Sequence, residues 1–332
     1  MENIENLLDQ LATKLRGTNA LIQVLIGDEC YVRKVGDLNQ IADNPHRVEP
    51  STDKPFLPWM LQQIDRSPVA KGTYANHRST YDVLHTFRPD MTFGSLDYQF
   101  LLDFEAYLRH EGYAVNTIAK FMKILRRYVN IAIDLELMNK YPFRKYHIRQ
   151  EATHKNALTE RELRKVERNV ESLPENEQKV AKGFLFSVYS GLRFSDVSRV
   201  TRQHIRKINS NHWLVMKMQK TDREVRVPLS RMFGGKAIDL IGESRSRTGR
   251  LFPMPNNART NILLGRALRR LGIRKHCSFH CARVSSATLM LMRGANLTTI
   301  QHILGHNDIK TTQVYAKVTD GTLLRDVGRT FR

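Results

Sequence analysis

The segment SFHCARVSSATLML, residues 278–291, opens with two side chains suited to phosphate chemistry and continues as an apolar run. His280 and Arg283 are three positions apart, close to one helical turn, so both side chains can reach a single phosphate group. The Leu-Met-Leu run at 289–291 predicts that the same helix packs into a core. An arginine in a helix is usually only a surface charge, so this interpretation needs support from other segments.

A second segment, SGLRFSDVSRV (residues 190–200), has Arg193 after Gly-Leu and Asp196 three positions later. Guanidinium groups match phosphate oxygens with two parallel hydrogen bonds, which makes Arg193 a candidate partner of the first segment. A third segment, MQKTDREVRVPL (residues 218–229), contains Lys220. Alternating apolar residues predict a β-hairpin here, with Lys220 at the end of its first strand.

A fourth segment, IQHILGHNDIKTTQVYAKV (residues 300–318), carries His306 and, nine positions later, Tyr315. A lone tyrosine in such a context is usually a half-buried aromatic residue, and it gains interest only beside the histidine. Taken in chain order (190–200, 218–229, 278–291 and 300–318), the four segments resemble the active-site motifs of tyrosine recombinases of the phage integrase family. A chance match of one motif is easy, but a match of all four in register is not.

The resemblance implies how these side chains would act on DNA. Arg193, Arg283 and His306 would hold the non-bridging oxygens of a phosphodiester and stabilise its pentacoordinate transition state. The phenolic oxygen of Tyr315 would attack phosphorus and form a 3'-phosphotyrosyl bond. That bond stores the energy of the cut ester, so a second 5'-hydroxyl can reverse the step without nucleotide hydrolysis.

Three further residues complete the set that the resemblance implies. Lys220 would act as the general acid that protonates the departing 5'-oxygen, although Lys217 on the same predicted strand is the alternative. His280 would help to accept the tyrosine proton. Asp196 would orient a basic neighbour, expected to be the histidine, rather than react.

No cofactor and no metal are expected in this site. The chain has no GxxxxGKS/T loop, and two arginines provide the charge that magnesium supplies in other phosphoryl-transfer enzymes. The segment HCSFHC, residues 276–281, holds two cysteines and two histidines. No second ligand pair at zinc-finger spacing occurs elsewhere, so a zinc site is the disfavoured alternative.

Upstream, the segment FEAYLRHEGYAVNTIAKFMKILRRYVNIAI (residues 104–133) resembles the helical core-binding domain of integrases from Bacteroides-type bacteria. Its second half has an apolar stripe at helical spacing, formed by Ile118, Met122, Leu125, Val129 and Ala132. Basic residues lie mostly outside that stripe: Lys120, Lys123, Arg126 and Arg127. These four are candidate DNA-binding residues, and the alternative is an ordinary solvated face.

The expected fold is mainly α, with a small antiparallel β-hairpin or sheet in a catalytic domain. We predict an N-terminal region of uncertain role at 1–54, a helical core-binding (SAM-like) domain at 55–150 and a tyrosine-recombinase catalytic domain at 157–332. Thr159 and Glu162 form a predicted capping box at the start of the latter. By resemblance, the two larger domains form a C-shaped clamp around DNA, joined by the basic linker at 145–156. A Pro-, Ser- and Asp-rich stretch, 44–58, predicts another linker.

Composition agrees with a DNA partner. Lysine and arginine total 53 against 33 acidic residues in the 332-residue chain, which gives a net charge of +20 and a pI near 10.1. Binding to phosphates would release their counterions. The three cysteines, an odd and low number, argue against a disulfide scaffold and favour a reducing compartment. The start of the chain lacks a signal-peptide pattern and no apolar run approaches about 20 residues, so we expect a cytoplasmic, nucleoid-associated protein without a membrane partner.

The resemblance also implies an assembly. Four protomers would hold two double-stranded DNA sites and exchange strands through a Holliday junction. The tail GTLLRDVGRTFR, residues 321–332, would pack on a neighbouring protomer, or alternatively on its own domain. The rivals are a non-catalytic DNA-binding regulator on the same fold and a type IB topoisomerase. Integration, excision and inversion all remain open, and the short N-terminal region favours an invertase or simple recombinase.

Overall fold

The computed structural model describes residues 20–26, 29–35, 53–152, 156–242, 249–315 and 328. The chain divides into two compact units, Met1–Ala152 (unit one) and Thr153–Arg332 (unit two). Near the N-terminus, strands β1 (Ala20–Ile26) and β2 (Glu29–Val35) pair in antiparallel register. Of the predicted tail, only residue 328 belongs to the described part of the chain.

The main body of unit one is helical. Its helices are α1 (Phe56–Arg66), α2 (Lys71–Phe87), α3 (Tyr98–His110) and α4 (Val115–Asp134). A short 3-10 turn, Pro142–Arg144, follows them. The linker predicted to run to Pro58 was wrong at its end, because α1 already begins at Phe56. Proline is tolerated in the first helical turn, where its missing N–H has no intrahelical partner.

Local sequence explains the bounds of α3 and α4. Asp97 caps α3 by accepting a hydrogen bond from the main-chain N–H of Phe100 at 2.7 Å. Beyond the C-cap of α3, Gly112 takes a left-handed conformation with φ of 77°, as expected for a residue that stops a helix. The five-residue apolar stripe predicted for α4 is buried throughout, which confirms that this face packs in the core of unit one.

Unit two is built around a buried helix. Its helices are α5 (Glu160–Asn169), α6 (Glu175–Ser190), α7 (Phe194–Val197), α8 (Lys236–Asp239), α9 (Asn257–Arg270), α10 (His280–Met292), α11 (Leu297–Leu304) and α12 (Lys310–Gln313). The second half of α6 is buried on all sides, and α9 and α10 pack against it. The capping box predicted at Thr159 and Glu162 is confirmed at the start of α5.

A three-stranded antiparallel sheet of order β3-β4-β5 accompanies these helices, with strands Ile205–Ile208, Asn211–Lys217 and Glu224–Val227. The sequence predicted only the hairpin of β4 and β5. The missed strand β3 joins β4 through Asn209 and Ser210, both at positive φ, as a two-residue hairpin loop requires. This loop lacks the usual Asn-Gly pair, which weakened its sequence signal.

No helix within the described ranges is long and apolar enough to cross a membrane.

Candidate active site

Arg283 is a deeply buried cation of unit two, with 1% of its surface exposed. Its Nη1 donates to the carbonyl oxygen of Gly191 at 2.7 Å, and its Nη2 donates to that of Leu304 at 2.5 Å. These carbonyls lie at the C-terminal ends of α6 and α11, where helix dipoles are negative. Arg283 Nε is buried and has no hydrogen-bond partner among the described residues. The guanidinium is thus held in place by the main chain, without a carboxylate ion pair in the part of the chain that is described.

Two glycines make this close approach possible. Gly191 caps α6 at φ 73°, and Gly305 caps α11 at φ 60°. A Cβ at Gly191 would lie 2.9 Å from a Leu304 methyl carbon, and a Cβ at Gly305 would overlap the sulfur of Met218 and lie 2.8 Å from a Val225 methyl carbon. Any other residue at either position would combine backbone strain with overlap, so the Gly-Leu and Leu-Gly pairs of the motifs are geometric requirements here.

Arg193 enters the same site from the N-cap position of the short helix α7. Its Nη1 contacts the sulfur of the buried Met218 at 3.3 Å. Burial lowers the pKa of Arg193. Burial, and then the positive charge of Arg193, lower the pKa of Arg283 to about 9. The two guanidinium groups are therefore close enough to repel each other, and an anion between them would relieve that repulsion.

Tyr315 lies beside these two cations. Burial raises the pKa of its phenol, while Arg283 and Arg193 both act in the opposite direction. The ring stacks on His306, with centroids 6.2 Å apart and an interplanar angle of 15°. His306 is itself buried, and its Nδ1 is 2.8 Å from the hydroxyl of Thr312. The structure thus brings together Arg193, Arg283, His306 and Tyr315 in one pocket.

Asp196 and Lys220 lie on two segments that are in contact. Asp196 is fully buried, and its Oδ1 accepts from Arg199 Nη2 at 3.2 Å and from the main-chain N–H of Gln219 at 2.8 Å. The basic neighbour that the structure gives Asp196 is therefore Arg199, whereas the sequence pointed to a histidine. Lys220 is exposed in the turn after β4.

The expectation that Lys220 ends a strand was wrong. Strand β4 stops at Lys217, because the chain then folds back: Met218 N donates to Arg223 O at 2.8 Å and Asp222 N donates to Met218 O at 3.0 Å. Asp222 has φ of 54°, a left-handed conformation that Asp tolerates better than most residues. Lys220 therefore projects from a tight turn rather than from a strand.

His280 is the first residue of α10, one turn before Arg283, and is exposed. Two buried free thiols flank it, Cys277 and Cys281. A hydrogen bond from Cys277 lowers the pKa of Cys281 to about 6, and burial and the same contact raise that of Cys277. Within the described ranges, no group of three or more His, Cys, Asp and Glu side chains is placed to hold a metal ion.

The DNA-binding candidates of unit one lie on α4. Lys123, Arg126 and Arg127 are exposed. The ammonium group of Lys120 lies 4.8 Å from the centre of the Phe121 ring, so its position is partly fixed by its own neighbour. The face opposite the buried stripe is thus basic and open to solvent.

The sequence did not single out several residues that shape the site. They are Gly191, Met218, Gly305 and Thr312, together with two arginines near the Lys220 turn, Arg199 and Arg223. The glycines stood inside recognised motifs, so their positions carried a signal. Met218, Thr312 and the arginines act through contacts between segments distant in sequence, which no local pattern reveals.

Comparison with known proteins defines the class to which this fold and site belong. The model of the phage integrase family matches residues 156–321, and that of the phage integrase SAM-like domain matches residues 55–148. The chain belongs to the phage integrase family. It is a site-specific DNA recombinase of the tyrosine type.

The relatives that this sequence matches are tyrosine recombinases as well. The tyrosine recombinase XerA of Thermococcus onnurineus is 28% identical over 239 residues, which cover 68% of this chain and 79% of XerA. The tyrosine recombinase XerD of Shewanella oneidensis is 25% identical over 244 residues, which cover 67% of this chain and 78% of XerD.

Solved structures share the fold at low sequence identity. The integrase of transposon Tn1549, in complex with a circular intermediate DNA, is similar with a TM-score of 0.69 at 17% identity, covering 83% of this chain and 99% of that chain. A lambda integrase tetramer bound to a Holliday junction gives a TM-score of 0.65 at 16% identity, covering 80% of this chain and 78% of that one. These likenesses establish the architecture, and the expected mainly α fold with a small antiparallel sheet is confirmed.

Proposed function

We propose that Tyr315 is the nucleophile of this recombinase and that Arg193 and Arg283 bind the phosphate it attacks. One observation carries the proposal: the phenol lies within the field of the buried guanidinium group of Arg283 and the half-buried one of Arg193, and its ring is stacked on His306. Neither arginine has a carboxylate ion pair among the described residues. A DNA phosphate supplies the missing negative charge in a form that a guanidinium can bind through two oxygens.

The first chemical step is a transesterification. The phenolic oxygen of Tyr315 attacks phosphorus, the bond from phosphorus to the 5'-oxygen breaks, and a 3'-phosphotyrosyl ester forms. Lys220 gives a proton to the departing 5'-oxygen, which leaves as a hydroxyl. Because burial raises the pKa of the phenol, Tyr315 is protonated at neutral pH and needs a base to accept its proton. His280 takes that role, and His306 is a further hydrogen-bond donor to the phosphate. Attack by the 5'-hydroxyl of another strand then reverses the step.

The division into a core-binding domain (55–150) and a catalytic domain (157–332) is part of the proposal. Both would grip one duplex, with the basic face of α4 along the phosphates. We further propose that four protomers act on two DNA sites through a Holliday junction, as in the lambda integrase tetramer. A protein with these partners would work at the chromosome, in the cytoplasm.

Tyr315→Phe tests the assignment of the nucleophile. The variant should still bind DNA and keep the stack on His306, because only one hydroxyl is removed, but it should form no covalent complex. The measurement is a denaturing gel of protein incubated with labelled, nicked recombination sites. A phosphotyrosyl adduct at the normal level in this variant would refute the assignment.

A plasmid that carries two candidate sites separates the three activities. Inversion or excision supports recombination. Relaxation of supercoils without rearrangement supports a type IB topoisomerase, and a mobility shift without cleavage supports a non-catalytic regulator.

A further inference from the structure

The turn that carries Lys220 is closed by its own main chain. Met218 and Arg223, at its two ends, are joined by the hydrogen bond from Met218 N to Arg223 O at 2.8 Å. The buried side chain of Met218 anchors the near end between Arg193 and Gly305. Lys220 at the apex is exposed, and no described residue accepts a hydrogen bond or forms an ion pair with it. No described contact therefore fixes the ammonium group, whereas hydrogen bonds hold the base of the turn.

Arg199 holds the near end of the turn from the side of α7. Its Nη2 donates both to Asp196 Oδ1 at 3.2 Å and, by a short hydrogen bond, to the carbonyl oxygen of Lys217. The same carboxylate oxygen accepts from the N–H of Gln219. The main chain is therefore held on both sides of Met218 by one ion pair, whose carboxylate is buried and whose arginine is partly exposed. This pair belongs to the segment that also supplies Arg193.

Arg223 holds the far end from the opposite side. Its Nη1 donates to the main-chain carbonyl of His306 at 3.2 Å. The same carbonyl also accepts from Gln301 Nε2, in α11, at 3.1 Å, and the His306 ring contacts the hydroxyl of Thr312, in α12. Arg223 is thus a direct link between the Lys220 turn and the loop whose histidine stacks on Tyr315.

We propose that Arg199 and Arg223 are positioning residues that hold the Lys220 turn in register with the phosphate-binding arginines and with His306. This inference rests on the proposed function of Lys220 as general acid. Neither arginine needs to touch the reacting atoms: each acts through the main chain of the turn. Together they limit the volume that the lysine ammonium group explores.

The physical reason is the short reach of proton transfer. A general acid acts only within hydrogen-bond distance of the leaving oxygen, about 2.6–3.2 Å. A turn tied at one end alone can tilt, and its apex then moves by more than that tolerance. With both ties present, only the lysine side chain itself has to find the 5'-oxygen.

The test compares two substrates, one with a normal 5'-oxygen at the cleavage site and one with a bridging 5'-sulfur. A thiolate leaves without a proton, because thiols are far stronger acids than alcohols. Arg199→Ala and Arg223→Ala should slow covalent-complex formation on normal DNA by about 10- to 100-fold, which is less than the roughly 100- to 10,000-fold that a general acid itself contributes. On the sulfur substrate both variants should react at close to the wild-type rate. That recovery would also show that the variants are folded.

Matched controls make the result decisive. Arg226→Ala removes an exposed arginine from the adjacent strand, where it lies over Trp213, and it should leave both rates unchanged. Arg223→Lys should recover part of the rate on normal DNA, since one ammonium group can still donate to the His306 carbonyl. DNA affinity should fall no further in the Arg199 and Arg223 variants than in Arg226→Ala.

Lys220→Ala distinguishes the general-acid role of Lys220 from the positioning role of Arg199 and Arg223. If it recovers on the sulfur substrate while the arginine variants stay slow, the positioning role is wrong and Lys220 remains the general acid. If Lys220→Ala itself stays inactive on the sulfur substrate, its assignment as general acid is wrong and the positioning role fails with it. Recovery of all three supports the proposal.

Discussion

The two units differ in whether their buried polar side-chain atoms have hydrogen-bond partners. In unit one, the buried His77 is paired, with Nδ1 at 2.7 Å from the hydroxyl of Tyr128, and Thr80 donates to the Asn76 carbonyl at 2.9 Å. Every buried side-chain nitrogen or oxygen that lacks a partner among the described residues belongs to unit two. These atoms include Arg283 Nε, Asp196 Oδ2 and Arg199 Nε, while other atoms of the same three side chains are hydrogen-bonded. An unsatisfied buried group costs about 1–3 kcal/mol, and more if charged.

This difference indicates which unit holds the catalytic site. Unit one has a closed core whose polar groups are already satisfied, so its function has to lie on its surface. In unit two, Arg283 is buried and Arg193 half-buried, and neither has a carboxylate ion pair among the described residues. Under the proposed function, a bound phosphate would offset the cost of that arrangement, and the guanidinium without an ion pair would then mark the site.

Arg283→Lys should have the largest effect of the changes that probe this contrast. Lysine keeps the charge but cannot hold two carbonyls and a phosphate with one planar fork. Cleavage should fall by about 100-fold or more, the size of effect seen when one transition-state donor is lost. Single-turnover cleavage of a nicked site measures this, and DNA affinity should change far less. Arg226→Lys is the control on an exposed position, and equal losses in both variants would contradict the special status of Arg283.

The pH dependence of cleavage probes the charge of the buried Arg283 in unit two. Arg283 acts in its charged form, and its pKa in the free protein is lowered to about 9. The charged form is therefore lost as the pH rises through that value, so kcat/KM should decline above pH about 9. A bound phosphate raises the pKa again, so the single-turnover rate at saturating DNA should persist to higher pH. Coincident declines in the two profiles would show that phosphate does not bind Arg283.

A smaller effect is expected on the surface of unit one. Replacing Lys123, Arg126 or Arg127 with alanine should weaken DNA binding for all sequences and lower the slope of log affinity against log salt by about 1 per lost phosphate contact. Binding titrations across a salt series measure the slope. Lys140, which lies outside α4, serves as the control. An unchanged slope in all three variants would mean that this face is only solvated.

The smallest predicted effect concerns the closed core itself. Burial, and then the charge of Arg127, lower the pKa of His77. Below about pH 6.5, the usual histidine value, the unfolded chain binds a proton that the folded chain resists. Stability of unit one should therefore be complete above that pH and decrease as the pH falls through the lowered pKa. Hydrogen exchange of the α2 and α4 amides at pH 7 and pH 5 reports the loss, and Arg127→Ala should reduce it.

Sequence reasoning was strongest where side-chain identity and local spacing decide structure. The α4 stripe and the Thr159 capping box each follow from one stretch of chain, and both are present. It was weakest at boundaries. Helix α1 starts before Pro58, and β4 ends before Lys220. Both errors arose because a single residue type was given more weight than the hydrogen bonds formed around it.

The sequence alone determined the family, the mainly α fold and the order of the candidate catalytic residues, because these depend on residue types at set spacings. The spatial arrangement of those side chains depends on contacts that form only in the folded protein. The C-terminal ends of α6 and α11 converge on Arg283 through main-chain carbonyls, and Arg199 and Arg223 tie the Lys220 turn in the same way. Main-chain oxygens are present at every residue, so contacts made to them leave no trace in the sequence.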